Sequence, residues 1–148
     1  MATGCSHGRQ PLIGEWDSDF INGPSVLSPK GSTSKGKVTA KWMLDGRFLL
    51  GTSEVGTHRS IWLMGYDTNK KAFLNVRFTN AGQIDHSIGQ WDDDTHSFVW
   101  KVVNERPGIT RTSTHRIIGK DAMQSHVLAE DKDGKVQMDL TIKSTRRK

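Results

Sequence analysis

Histidine, arginine and glutamate in β-like segments are the residues of this chain most worth tracing for chemistry. His58, His86, His96, His115 and His126 fall in five different strand-like runs, a pattern that a closed sheet can turn toward one interior. They lack the His-x-His, His-Glu-x-x-His or Cys/His spacing of a built metal site, so scattered polar histidines are the reading adopted and no metal or cofactor is expected. A single inward histidine holding haem is the weaker alternative. His86 is the best single candidate, because Ile84 and Ile88 flank it at period two. An inward imidazole among apolar groups has its charged form disfavoured and can serve as a proton carrier or hydrogen-bond donor. Arg111, Ser113 and His115 share one face of a Thr-rich run. An inward arginine there would fork onto a carboxylate, whereas an outward one would join a surface ladder of threonines. Glu54, alternating with Phe48, Leu50 and Thr52, is the carboxylate expected to face inward. His86 and Glu54 are thus the candidate catalytic residues. Trp42, Trp62, Tyr66, His86, Trp100, Arg111 and His115 are the candidate ligand-binding residues, with core filling as the alternative use of the tryptophans.

The elements that must position these groups are short and evenly spaced. About ten strand-like runs cover residues 12–20, 37–44, 47–55, 58–66, 71–79, 83–91, 96–104, 109–118, 123–130 and 136–143. Turn signals separate them: Asp45-Gly46, Gly56-Thr57, residues 67–70, 80–82, 92–95, 106–108, 119–121 and 132–134. Glycine supplies positive φ, Asp and Asn bond their own backbone, and Asp-Gly favours a tight type I′ hairpin. Even spacing without a helical period predicts antiparallel neighbours joined by hairpins. The exception is the Pro/Gly/Ser/Lys-rich stretch 21–36, read as a surface loop, with a lid over one barrel mouth as the alternative. Val136, Met138, Leu140 and Ile142 alternate cleanly with polar residues. In runs 58–66 and 109–118 either phase fits, and a slip of one residue exchanges every inner residue for an outer one.

Bulk composition narrows the class. At 148 residues the chain suits one domain, with residues 1–11 a disordered leader, 12–145 the β domain and 146–148 a basic tail. A hydrophobic content of 34% and a mean hydropathy of -0.58 suit a one-layer sheet with a wet outer face. The single cysteine, Cys5, excludes an internal disulfide, and together with His7 it falls in the leader. Asp92-Asp93-Asp94 lacks calcium-loop spacing and reads as a solvated turn. A net charge of +5 suggests nucleic acid, but the excess lies in Arg146-Arg147-Lys148 and an early loop with no recognition motif. The expected partners therefore exclude nucleic acid and membrane. A cytoplasmic location is expected, or export if a leader has been removed.

Gly14-Glu15-Trp16 on the first strand of such a chain resembles the signature of the lipocalin and fatty-acid-binding-protein group, the calycins. The resemblance implies that Trp16 plugs one barrel end and that a late basic residue, Lys143 or Arg146, packs over its ring. Asp45-Gly46-Arg47-Phe48-Leu49, Gly65-Tyr66-Asp67, Ala81-Gly82 and Gly89 before an acidic turn resemble, in order and spacing, a bacterial lipocalin-like family of unknown function. At Arg77-Phe78-Thr79 the chain departs from that family's aromatic-then-acidic pattern, which implies a different ligand if the position faces the lumen. The fold expected is all-β, a single antiparallel up-and-down barrel of eight to ten strands. Its expected role is binding a small hydrophobic or amphipathic molecule, with Arg111, His115 or His86 fixing the polar end. The alternatives are a barrel isomerase, cyclase or hydratase using a lumen His or Glu, and a filled barrel that docks another protein, often as a homodimer.

Overall fold

The computed structural model describes residues 10–148. Cys5, His7 and most of the expected leader lie outside the described residues. The chain enters through a 3-10 turn at Gln10–Leu12 and then forms ten strands. These are β1 (Gly14–Asn22), β2 (Ser32–Met43), β3 (Phe48–Val55), β4 (His58–Asp67), β5 (Ala72–Thr79), β6 (Ile84–Asp92), β7 (Ser97–Val102), β8 (Ile109–Ile118), β9 (Ala122–Asp131) and β10 (Val136–Arg146). Each strand pairs antiparallel with its neighbour in the chain, and β1 pairs with β10 to close the barrel. Ten strands stand at the upper end of the expected range, and closure leaves no free sheet edge.

Turn chemistry follows the sequence closely. Leu44 O accepts from Arg47 N across Asp45 and Gly46, whose φ values of 56° and 78° are those of the expected hairpin. Three boundaries need correction. The expected loop 21–36 shrinks to residues 23–31, because Ser32–Gly36 pairs with Ser18–Asn22 of β1. That shorter loop is no free lid: Gly23, Val26 and Leu27 donate their backbone N–H groups to Asp139, Val136 and Gln137 carbonyls. The alternation in β10 breaks at a bulge around Gln137, since Val136 pairs with Glu130 but Met138 with Ala129. The third correction is at the C-terminus, where Arg146 belongs to β10 opposite Trp16 and Arg147 pairs with Asp17 at 2.6 Å, so a basic tail begins no earlier than Lys148.

The barrel has unlike ends. One end gathers Leu12, Trp16, Leu49, Met64, Phe73 and Phe98 into the core. Phe98 meets Phe73 edge-on at 5.0 Å and Trp91 at 4.7 Å. Arg146 lies 4.3 Å above the Trp16 ring and caps this end by donating to the Pro11, Ile13 and Lys120 carbonyls. Of the two basic residues proposed for the cation–π contact, the register selects Arg146. Gly14 makes the arrangement possible: its φ is +123°, and a Cβ there would sit 2.5 Å from the Arg146 guanidinium. The opposite end is ringed by residues 23–31, 56–57, 80–83, 103–108 and 132–135 and forms the mouth.

Candidate functional site

Cross-strand pairing fixes which side chains enter the barrel, because paired residues share a face. From the buried Trp16 the register runs through Val38, Ser53, Ser60 and Thr79, all on the inner face. The same pairing places Trp42, Trp62, Tyr66, Trp100, Arg111 and His115 inside. Both strands of open phase are thereby settled, with Trp62, Met64 and Tyr66 inward on β4 and Arg111, Ser113, His115 and Ile117 inward on β8.

Two candidates move outside. His86 pairs with Val76 on the outer wall, and its backbone N–H donates to Asn104 Oδ1 at 2.7 Å. Glu54 pairs with Lys37 and Arg59 on the outer face and is exposed. The physical reason is the same for both. Their apolar neighbours at period two, Ile84 and Ile88 for His86 and Phe48 and Leu50 for Glu54, also face outward. Ile61, Phe78 and Ile84 form a cross-strand row on that outer wall, 42–50% exposed. His58, His96 and His126 are exposed as well, and the described residues hold no cluster of three metal-ligating side chains.

The inner wall is built so that aromatic rings lie along it. A Cβ on Gly51 would fall 1.9 Å from the Trp62 ring, and one on Gly89 would fall 2.4 Å from the Trp100 ring. Both indoles therefore rest flat on bare backbone instead of projecting to the axis. Serines at 18, 53, 60, 87, 113, 125 and 144 and alanines at 40 and 129 are among the other small inner residues. Trp42, Trp62, Asn75, Ser113 and His115 keep accessible surface although they point inward.

Polar groups on this wall fall into two levels. Within the barrel, His115 has no hydrogen-bond partner among the described residues, and desolvation by burial lowers its pKa to about 4, so the ring is neutral. Asn75 Oδ1 is likewise buried without a partner among the described residues. At the mouth stands a chain of charges that the sequence reading did not assemble. Asp85 accepts from Arg77 Nε at 2.9 Å and from Arg111 at 2.5 Å, and Arg111 Nε lies 2.8 Å from Glu105 Oε2. Burial alone would raise the Asp85 carboxyl, but hydrogen bonds and charge from Arg77 and Arg111 outweigh it and hold it below the usual carboxylate range. Asp85 and Glu105 were missed because no local spacing joins them to Arg111; period-two phase on β6, once set opposite to His86, would have exposed Asp85.

A model of the DUF1579 family, described as proteins of unknown function, matches residues 9–146. The chain belongs to this family. A comparison with curated protein sequences finds no match. Among solved structures, Rv2717c from M. tuberculosis is similar at a TM-score of 0.70 and 12% identity, covering 94% of each chain. The S-type phycobiliprotein lyase CPES from Guillardia theta follows at 0.64 and 9% identity, over 94% of this chain and 90% of that one. A DUF3598-family protein of unknown function from Nostoc punctiforme gives 0.56 and 10% identity, over 93% of this chain and 48% of that one. At such identities these likenesses bear on the fold, and family membership brings no assigned chemistry.

Proposed function

We propose that this DUF1579 barrel binds a small amphipathic molecule in its lumen, with the apolar body against Trp42, Trp62 and Trp100 and the polar end toward Arg111. The observation that carries the reading is the pair of indoles laid flat on Gly51 and Gly89, which gives a smooth aromatic wall beside unsatisfied polar atoms. A flat conjugated ligand suits such a wall, and the shared fold with a phycobiliprotein lyase is compatible with one. Burial of apolar ligand surface supplies about 25 cal/mol per Å², and Asn75 and His115 supply orientation. Binding is favoured over acid–base turnover because His86 and Glu54 stand outside, and a histidine with a pKa of about 4 is a weak base at neutral pH. Native mass spectrometry of gently purified protein tests this. A discrete mass excess lost on denaturation supports the reading, and a bare polypeptide mass that stays bare after incubation with amphipathic ligands rejects it.

A second reading concerns the outer wall and is compatible with the first. Ile61 and Phe78 line a groove of about 330 Å³ whose rim carries Glu54 and Arg59. Opposite charges beside an apolar row are self-complementary about a two-fold axis, which supports a homodimer through this face. Sedimentation of wild type against Ile61→Lys checks it: a monomeric wild type removes the reading.

A further inference from the structure

We infer that Glu105 is a built-in stand-in for a ligand carboxylate, so that the lumen selects monocarboxylic amphiphiles that exchange with it at Arg111. This rests on the lumen-binding reading and adds the ligand's chemical class to it.

The two acids at the mouth are unequally anchored. Asp85 is rooted in β6, opposite Arg77, and bridges both arginines with aligned hydrogen bonds. Glu105 sits outside the strands, in the stretch 103–108 between β7 and β8. Its backbone is presented by Asn104, whose side chain accepts from His86 N and donates to Ile84 O. The Glu105 carboxylate reaches Arg111 at 2.8 Å, yet Arg111 Nε lacks an aligned hydrogen-bond acceptor among the described residues. This contact is Coulombic without the directional bond that an arginine–carboxylate fork normally makes, and the aligned hydrogen bond that the Glu105 carboxylate does accept comes from the backbone N–H of its neighbour Arg106 at 3.0 Å.

Arg111 and Glu105 side chains are only 13% and 16% exposed, so the pair is largely withdrawn from water. The two withdrawn arginines balance the two acids, and Arg106, whose Nε lies 3.9 Å from Glu105 Oε1, is 75% exposed and screened by water, so a ligand bearing an extra carboxylate would meet little net attraction while Glu105 stays in place. Rotating Glu105 outward to solvent frees the Nε side of Arg111 and leaves Asp85 to hold the other side. An incoming carboxylate then restores neutrality at the same point, with its apolar part directed down the barrel. A neutral ligand gains nothing from this exchange and must leave Glu105 where it is. The device favours acids over their esters and alcohols, and it favours one acid group over two, because Asp85 does not yield its place.

The test uses the full chain and two fluorescent probes, cis-parinaric acid and its methyl ester. Glu105→Gln removes the competing charge while keeping side-chain length, and it is expected to tighten the acid about tenfold with the ester changed less than twofold. Adding Arg111→Gln to Glu105→Gln should cancel the gain. Asp45→Asn, which removes a carboxylate from the exposed turn at the closed end and suits its positive φ of 56°, controls for net charge and should leave both probes unchanged. Far-UV circular dichroism and a melting curve establish that each variant is folded. Unchanged acid affinity in Glu105→Gln, or equal tightening of acid and ester, overturns the exchange while leaving lumen binding intact. If neither probe binds any of the proteins, the lumen-binding reading falls and this inference with it.

Discussion

The indole of Trp62 lies so close to Gly51 that a methyl group at position 51 would fall 1.9 Å from two of its ring carbons. A strand glycine forgoes cross-strand packing and costs conformational entropy, so its position under a ring is a means of keeping that ring against the wall. Gly89 repeats the device beneath Trp100 on β6, facing its partner strand β7.

Gly51→Ala should therefore drive the Trp62 ring toward the barrel axis. The expected cost is about 1–3 kcal/mol of stability, as for other overpacked cores, with a loss of affinity for any lumen ligand. Urea denaturation and near-ultraviolet circular dichroism of the tryptophans check both parts. Full stability together with an unchanged tryptophan spectrum would show that the wall has slack.

Arg146→Ala removes the cation over Trp16 and three carbonyl contacts at the closed end. A loss of about 2–4 kcal/mol is expected, whereas Lys143→Ala on the outer face should change stability by about 0.5 kcal/mol or less. Equal effects in chemical denaturation would contradict the assignment of Arg146 as the plug's partner.

His115 makes folding sensitive to acid. Its folded pKa of about 4 lies below the ordinary 6.5, so the unfolded chain takes up the proton first. Its effect is absent above pH 6.5, grows as pH falls from there to about 4, and then levels off. Wild type should lose about 2–3 kcal/mol more than His115→Gln over that interval, measured as the difference in unfolding free energy at pH 7 and pH 4. Parallel curves for the two proteins would place the imidazole in contact with water.

Asp85→Asn leaves Arg77 without its ion-pair partner and Arg111 with Glu105 as its remaining ion-pair partner among the described residues, in a partly buried mouth. Removing one member of such a network costs about 2–4 kcal/mol, mostly from the uncompensated arginine. Reversing the loss by replacing Arg77 with Met in the same chain would locate the cost in charge; failure of that rescue would locate it in packing.

Phe78 and Phe98 test the two faces directly. Phe98→Ala empties a fully buried site and should cost about 3–5 kcal/mol, while Phe78→Ser, on a side chain 42% exposed, should cost about 1 kcal/mol or less. Thermal unfolding of the pair checks the contrast.

The barrel was legible because its turns are written locally. Asp45-Gly46 and Gly56-Thr57 specify hairpins within a few residues, and the structure buries Trp16 beneath Arg146 at the closed end. Phase was harder. Alternation shows that two faces differ, but not which is inside, and on β4, β5 and β6 the outer face carries Ile61, Phe78 and Ile84 while the inner face carries Ser60, Arg77 and Asp85. Reading apolar as inward consequently misplaced His86 and Glu54. Arg111 could be assigned only through its neighbours, since Trp100 on β7 pairs with Ser113 and carries Arg111 to the same side. The Glu105–Arg111–Asp85 chain joins three elements, and no single run of sequence contains it.

Nine of the ten junctions between strands join neighbours in the chain, and only the β1–β10 seam brings its two ends together. That seam is also where Trp16 meets Arg146. Hairpins form in microseconds, but joining residues so far apart carries about 4 kcal/mol of chain-closure entropy beyond a constant term. Time therefore separates the wall from the chamber. The sheet can zip strand by strand as a curling ribbon, yet an enclosed interior exists only after the first strand finds the last. Until then the row of flat indoles is an open face, and a molecule that binds it early would be carried inside as the ribbon closes.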